Sequence, residues 1–232
     1  VSLVEGLTVP KSHATLTGSA TPSQVYNLHQ RGCRVGKIKV IPKLSTTVER
    51  LVNLASMVPD WKWRVDFNCT LTPEEALQFW DMLSDAMKQR IDFVEDPCYY
   101  SVEAWQSLQD AGMPLGYDMP VPGEVRIPRC TTKPMMRLVK PARHHSTSGL
   151  PVFTSNMDHP LGQCWAAYNA AKFYTGKPES EIPLCGLVTH HVYRPNPFSE
   201  RMGMDITPEF PVPGGTGLGF DDLLEALPWK TL

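Results

Sequence analysis

A chain of 232 residues can bury a substantial core as one domain. Its formal charge of −2, with basic residues scattered, excludes the electrostatic footprint of a nucleic-acid binder. No 18-residue apolar run offers a membrane span, and no signal-peptide pattern is present, which points to the cytoplasm. Six cysteines stand singly, at 33, 69, 98, 130, 164 and 185, so neither a zinc knuckle nor a redox pair is suggested.

In chain order, the predicted elements alternate. Thr21-Pro22-Ser23-Gln24 has a capping residue, a proline at the first helical position and Gln at the third. Val25, Tyr26 and Leu28 follow as apolar positions, and Gly32 marks the stop. Residues 35–40 read as a strand. Thr46 to Glu49 opens a second helix, with Leu51, Val52 and Ala55 on its apolar side. Residues 61–67 form the next strand, and Thr72-Pro73-Glu74-Glu75 opens a third helix whose Leu77, Trp80 and Leu83 recur on one face. Residues 91–94 are a short strand. A fourth helix runs from near Ser101 to Gly112, and 113–117 are the fifth apolar run. Prolines 120, 122, 128 and 134 leave little room for a full helix between residues 119 and 134. Strands are predicted at 135–139, 152–155 and 184–189, and an Ala-rich helix at 161–173. The stretch 141–149 is too short and broken for a crossover helix, and 217–227 reads as a turn and a helix.

Strands alternating with helices imply a mostly parallel sheet. Asp66, Glu95 and Asp118 each stand at or just past the end of an apolar run, between Lys39 and Lys140. Successive steps from Lys39 through these acids to Lys140 are 27, 29, 23 and 22 residues, one strand-plus-helix unit each. In a closed barrel all five converge on one rim. An open doubly wound sheet binds near a reversal of strand order instead.

Three carboxylates brought together repel one another, and a hard divalent cation removes that cost. Oxygen ligands suit Mg2+, with Mn2+ as a substitute. Lysines beside such a centre suit proton abstraction next to a carboxylate, with Lys39 and Lys140 approaching from opposite faces. Lys37 shares the face of Lys39 and adds a second cation. Asn68 shares the side of Asp66, and Ser155 and Asn156 follow the 152–155 run as contacts for a substrate carboxylate. Asp96-Pro97 reads as shaping the turn after Glu95. His144-His145 and His190-His191 read as loop histidines, since adjacent side chains diverge. The glycine-rich 214–219 segment reads as a turn, with no Gly-Lys-Ser after it. Lys133 precedes its strand and ranks below Lys140.

Lys37-Ile38-Lys39, Arg64-Val65-Asp66-Phe67-Asn68, Phe93-Val94-Glu95-Asp96-Pro97, Asp118 and Val139-Lys140-Pro141 resemble the active-site strand ends of the enolase superfamily, muconate-lactonising subgroup. Thr154 to Pro160 and Gly215 to Leu227 resemble the o-succinylbenzoate synthase family within it. The resemblance implies a TIM-like modified (β/α)7β barrel lacking most of the usual N-terminal capping domain. Residues 1–15 are then a residual linker, 16–200 the barrel and 201–232 a closing segment. It further implies Mg2+ held by Asp66, Glu95 and Asp118, and a small carboxylate substrate. Lys39 would be the base and general acid of a syn dehydration, and Lys140 the electrostatic partner. The residues leave open an N-acylamino acid racemase or cycloisomerase of the same superfamily, or an inactive barrel kept for binding. Oligomeric state is not legible.

Overall fold

The computed structural model describes residues 1–40, 43–118, 135–143 and 150–229. Its strands are β1 (Ala14–Leu16), β2 (Val35–Lys39), β3 (Lys62–Asp66), β4 (Ile91–Glu95), β5 (Leu115–Tyr117), β6 (Met136–Val139) and β7 (Leu150–Phe153). Helices α1 (Pro22–Gln30), α2 (Leu44–Ser56), α3 (Pro73–Met82), α4 (Asp85–Lys88) and α5 (Val102–Asp110) fall between strands. Helices α6 (Pro160–Tyr174), α7 (Pro197–Met202) and α8 (Asp221–Glu225) follow them. The chain divides into two compact units.

The first unit comprises Ala14–Val139 and Ser146–Val152. Its sheet lists its strands in chain order, β1 through β7, and the registered pairs from β1 to β6 are parallel. Strand order never reverses, so the topology is that of a modified parallel β/α barrel and not of a doubly wound sheet. The helix starts follow the chemistry of their first residues. Thr21 and Thr72 each accept from the backbone three residues on, and Gln24 and Glu75 reach back to complete capping boxes. Such a cap contributes about 1 kcal/mol. Helix α2 begins at Leu44, earlier than its Thr46 signal, with Lys43 ahead of it making no side-chain cap.

Alternation along each strand sorts the side chains. On β2, Gly36 and Ile38 share one face, and a Cβ on Gly36 would meet the Trp61 and Trp63 rings at 2.9 and 3.1 Å. Lys37 and Lys39 point the other way. Across β3 and β4 that second face carries Arg64, Asp66, Phe93 and Glu95. Below the strand ends, Phe93, Leu138 and Val152 form an apolar cluster. Gly116 is required there, because a Cβ would come within 2.7 Å of Phe93 and 3.2 Å of Leu138.

The second unit comprises Val1–His13, Lys140–His145 and Phe153–Leu232. The strand expected at 184–189 is reduced to isolated bridges, Ser12 with Cys185 and Thr154 with Gly186. Side chains take the amides a ladder would use. Ser12 Oγ accepts from Leu187 and Val188, and Gln163 Oε1 accepts from Thr189 and His190. Phe153 meets the Phe173 and Tyr174 rings at 5.5 and 6.0 Å, which anchors α6. The 214–219 segment is a turn, its Thr216 amide donating to both Asp221 carboxylate oxygens. Among the described residues, no helix is long and apolar enough to cross a membrane.

Candidate metal centre

Register brings the charged residues of the first unit together. Lys39 lies opposite Asp66 on the next strand, and Asp66 lies opposite Glu95 on the one after. Asp66 and Glu95 are buried to 4% and 1% exposure. Lys37 Nζ sits between them, 3.1 Å from Asp66 Oδ2 and 2.5 Å from Glu95 Oε2. Lys39 Nζ is 3.6 Å from Asp66 Oδ2, with half its side chain exposed. The backbone amide of Asn68 donates to Asp66 Oδ1 at 3.0 Å, while Asn68 itself is exposed.

Beyond β4 and β5 a second acidic group forms. Glu95, Asp96 and Asp118 each place a carboxylate oxygen within 4.8 Å of the other two. Asp96 takes a left-handed backbone conformation, φ 43°, just before Pro97. Its amide donates to the Gly116 carbonyl at 3.0 Å. Its carboxylate accepts from the Asp118 amide, at 3.1 and 3.3 Å. Asp96 therefore shapes the turn, as its sequence suggests, and also joins the acid cluster. Residue types alone give no sign of that second role, which depends on the left-handed turn at Asp96.

The electrostatics are those of a site built for positive charge. Burial alone would push the Lys37 ammonium down, and the Glu95 and Asp66 carboxylates more than reverse it, so its pKa is raised. Glu95 is also raised, by burial first, with Lys37 opposing and Asp66 adding to the rise. Burial pushes the nearby Cys69 thiol up to about 12 and the Cys98 thiol up to about 11, so neither is a thiolate at neutral pH. The available donors are thus carboxylate oxygens, the set that suits magnesium or manganese. Lys37 bridging two buried acids shows the same oxygens already satisfied by a cation. On both counts the residues fit a divalent ion.

Lys140, Ser155 and Asn156 belong to the other unit. Lys140 and Asn156 are half-buried there. Ser155 Oγ shares a 2.7 Å hydrogen bond with Thr189 Oγ1 and accepts from the Met157 amide at 3.3 Å. His190 is buried, its ring nitrogens 3.2 Å from Gln163 Oε1 and 2.7 Å from the Gly203 carbonyl. It opens a short 3-10 helix, His190–Val192, rather than lying in a loop, and these hydrogen bonds give it a structural role. His144, His145 and Lys133 lie outside the described residues.

Comparisons with known proteins bear on the family and the fold. The family model described as enolase C-terminal domain-like matches residues 22–146. An o-succinylbenzoate synthase of Bdellovibrio bacteriovorus is 26% identical over 224 residues, covering 91% of this chain and 65% of the relative. That of Pasteurella multocida is 27% identical over 214 residues, covering 83% and 63%. This chain therefore spans just under two thirds of the length of these curated relatives. Among solved structures, a dipeptide epimerase from Enterococcus faecalis superposes with a TM-score of 0.67 at 17% identity, covering 94% of this chain and 68% of that one. A mandelate racemase/muconate lactonizing protein from Herpetosiphon aurantiacus gives 0.66 at 17% identity, covering 84% and 61%. These two likenesses establish the barrel fold.

Proposed function

The chain belongs to the enolase superfamily, as an enolase C-terminal domain-like protein, and from that premise we propose that it is the barrel of a magnesium-dependent o-succinylbenzoate synthase. The reaction is syn dehydration of 2-succinyl-6-hydroxy-2,4-cyclohexadiene-1-carboxylate to o-succinylbenzoate and water. The observation that carries this reading is the convergence of Asp66, Glu95, Asp96 and Asp118 on neighbouring strand ends, with two lysines beside them.

Asp66, Glu95 and Asp118 would hold the ion, and Asp96 would fix Asp118 through its amide. When bound, magnesium supplies Lewis-acid stabilisation of the charge that builds on the substrate carboxylate. Lys39 suits the base: its amine is within 3.6 Å of Asp66 yet half-exposed, so it can reach a substrate held there. It removes the proton alpha to the carboxylate. The carbon–oxygen bond to the ring hydroxyl then breaks as Lys39 returns that proton to the departing oxygen, which leaves as water. Loss of water makes the ring aromatic. The family resemblance gives Lys140 the task of offsetting the developing negative charge. Before an ion binds, Lys37 neutralises Asp66 and Glu95, and Asn68, Ser155 and Asn156 are the remaining candidates for substrate or supporting contacts.

The test is turnover of the cyclohexadiene carboxylate by this chain, with magnesium and with a chelator. Formation of the aromatic product only with metal supports the reading. A folded, metal-loaded chain that forms none overturns it, and alpha-proton exchange on N-acylamino acids in that same sample would assign the racemase reaction instead.

A further inference from the structure

The β3–β4 pairing slips by one residue. Trp63 lies opposite Ile91, but the next residue, Arg64, lies opposite Phe93. Asp92 is therefore an extra residue on β4, a bulge. From there the register runs regularly, Val65 opposite Val94 and Asp66 opposite Glu95. Had the pairing continued unbroken from Trp63 and Ile91, Asp66 would face Val94. Side chains alternate along a strand, so Glu95 would then point to the opposite face from Asp66. The bulge is what puts both carboxylates on one face.

Arg64 sits at the slip and holds both residues that define it. Its Nε donates to Asp92 Oδ2 at 2.7 Å, and its guanidinium carbon lies 4.7 Å from the centre of the Phe93 ring. The Arg64 side chain is only 2% exposed, whereas Asp92 is 34% exposed. A buried planar cation gripping a half-exposed extra residue and stacking on the next one leaves that residue a single place to go.

We propose that Arg64 is a positioning residue: by clamping the Asp92 bulge it keeps Glu95 on the face of Asp66 and so sets the carboxylate geometry for a divalent cation. This rests on the metal reading above. It also makes a prediction of unusual sign. If Arg64 acted only through its charge, removing it would tighten binding of a cation to nearby acids. As a clamp, its removal loosens binding.

The experiment is Mn2+ titration of the whole chain, followed by electron paramagnetic resonance, for wild type, Arg64→Leu and Arg64→Lys, with circular dichroism to establish folding. Arg64→Leu is expected to raise the Kd for Mn2+ at least tenfold, of the order seen for groups that orient metal ligands. Arg64→Lys keeps the charge but loses the planar grip, and is expected to fall between it and wild type. A folded Arg64→Leu with Kd unchanged or lowered overturns the clamp. Should Arg64→Leu fail to fold, Arg64→Lys decides, and a wild-type Kd in that variant is the contrary result. Wild type that binds no Mn2+ defeats the metal reading and this inference together, whereas binding that the variants leave untouched defeats the inference alone.

Discussion

Lys37 Nζ lies 2.5 Å from Glu95 Oε2, and both side chains are nearly out of water, 11% and 2% exposed. With Asp66 on its other side, Lys37 is the cation that makes two buried carboxylates tolerable. Breaking a buried ion pair by removing one partner costs about 3–5 kcal/mol, because the remaining charge has no compensation. Lys37→Met is therefore expected to unfold at a markedly lower temperature than wild type without metal. Magnesium, by binding only the folded chain, should recover more stability in Lys37→Met than in wild type. Thermal unfolding with and without saturating magnesium measures both effects, and an equal gain in the two proteins would contradict the role given to Lys37.

Asp66 and Asp96 make opposite predictions. As a ligand, Asp66 cannot be replaced by its amide without loss, and Asp66→Asn should weaken Mn2+ binding by about tenfold or more. Asp96 accepts the Asp118 amide, a task an asparagine oxygen also performs. Asp96→Asn should therefore keep most of the affinity. Titration of the two variants separates a ligand set containing Asp66 from one built on Glu95, Asp96 and Asp118 alone.

Lys39→Arg keeps the charge beside Asp66 but removes an amine able to take and return a proton. Turnover should fall by about 10²–10⁴-fold, the usual contribution of a positioned acid–base group, with Mn2+ affinity nearly unchanged. A loss of metal binding equal to the loss of rate would make Lys39 a structural residue.

His190, which belongs to the second unit, gives a pH dependence of its own. Burial lowers its pKa, against the hydrogen bond from its ring to the Gly203 carbonyl; Gln163 and the His191 ring are its other neighbours. A histidine whose folded-state pKa is depressed stabilises the fold fully above its unfolded value, about 6.5, and loses that contribution as pH falls through the lowered folded-state value. Stability should decline on acidification below about pH 6.5. His190→Gln should flatten that decline, as read from thermal unfolding across the range.

Much of this was legible in the residues. The capping signals Thr21-Pro22 and Thr72-Pro73 fixed two helix starts, because a local side chain satisfies amides that nothing else does. The two-residue spacing of Lys37 and Lys39 placed both on one face, because strand geometry has a period of two. What the residues did not disclose depended on partners far along the chain. The 184–189 segment has a strand's composition, yet Ser12 and Gln163 take its amides. β1 is three residues long and exists by pairing with β2. The part of Asp96 in the acid cluster follows from a left-handed turn, and the Asp92 bulge from a pairing, neither of which leaves a periodic trace.

The most direct test of the metal centre is anomalous diffraction from a crystal of this chain soaked in manganese. One strong peak should appear within coordination distance, about 2.0–2.2 Å, of carboxylate oxygens of Asp66, Glu95 and Asp118, with Lys37 displaced from between the acids. No peak there, with Lys37 still bridging Asp66 and Glu95 at saturating manganese, would contradict it.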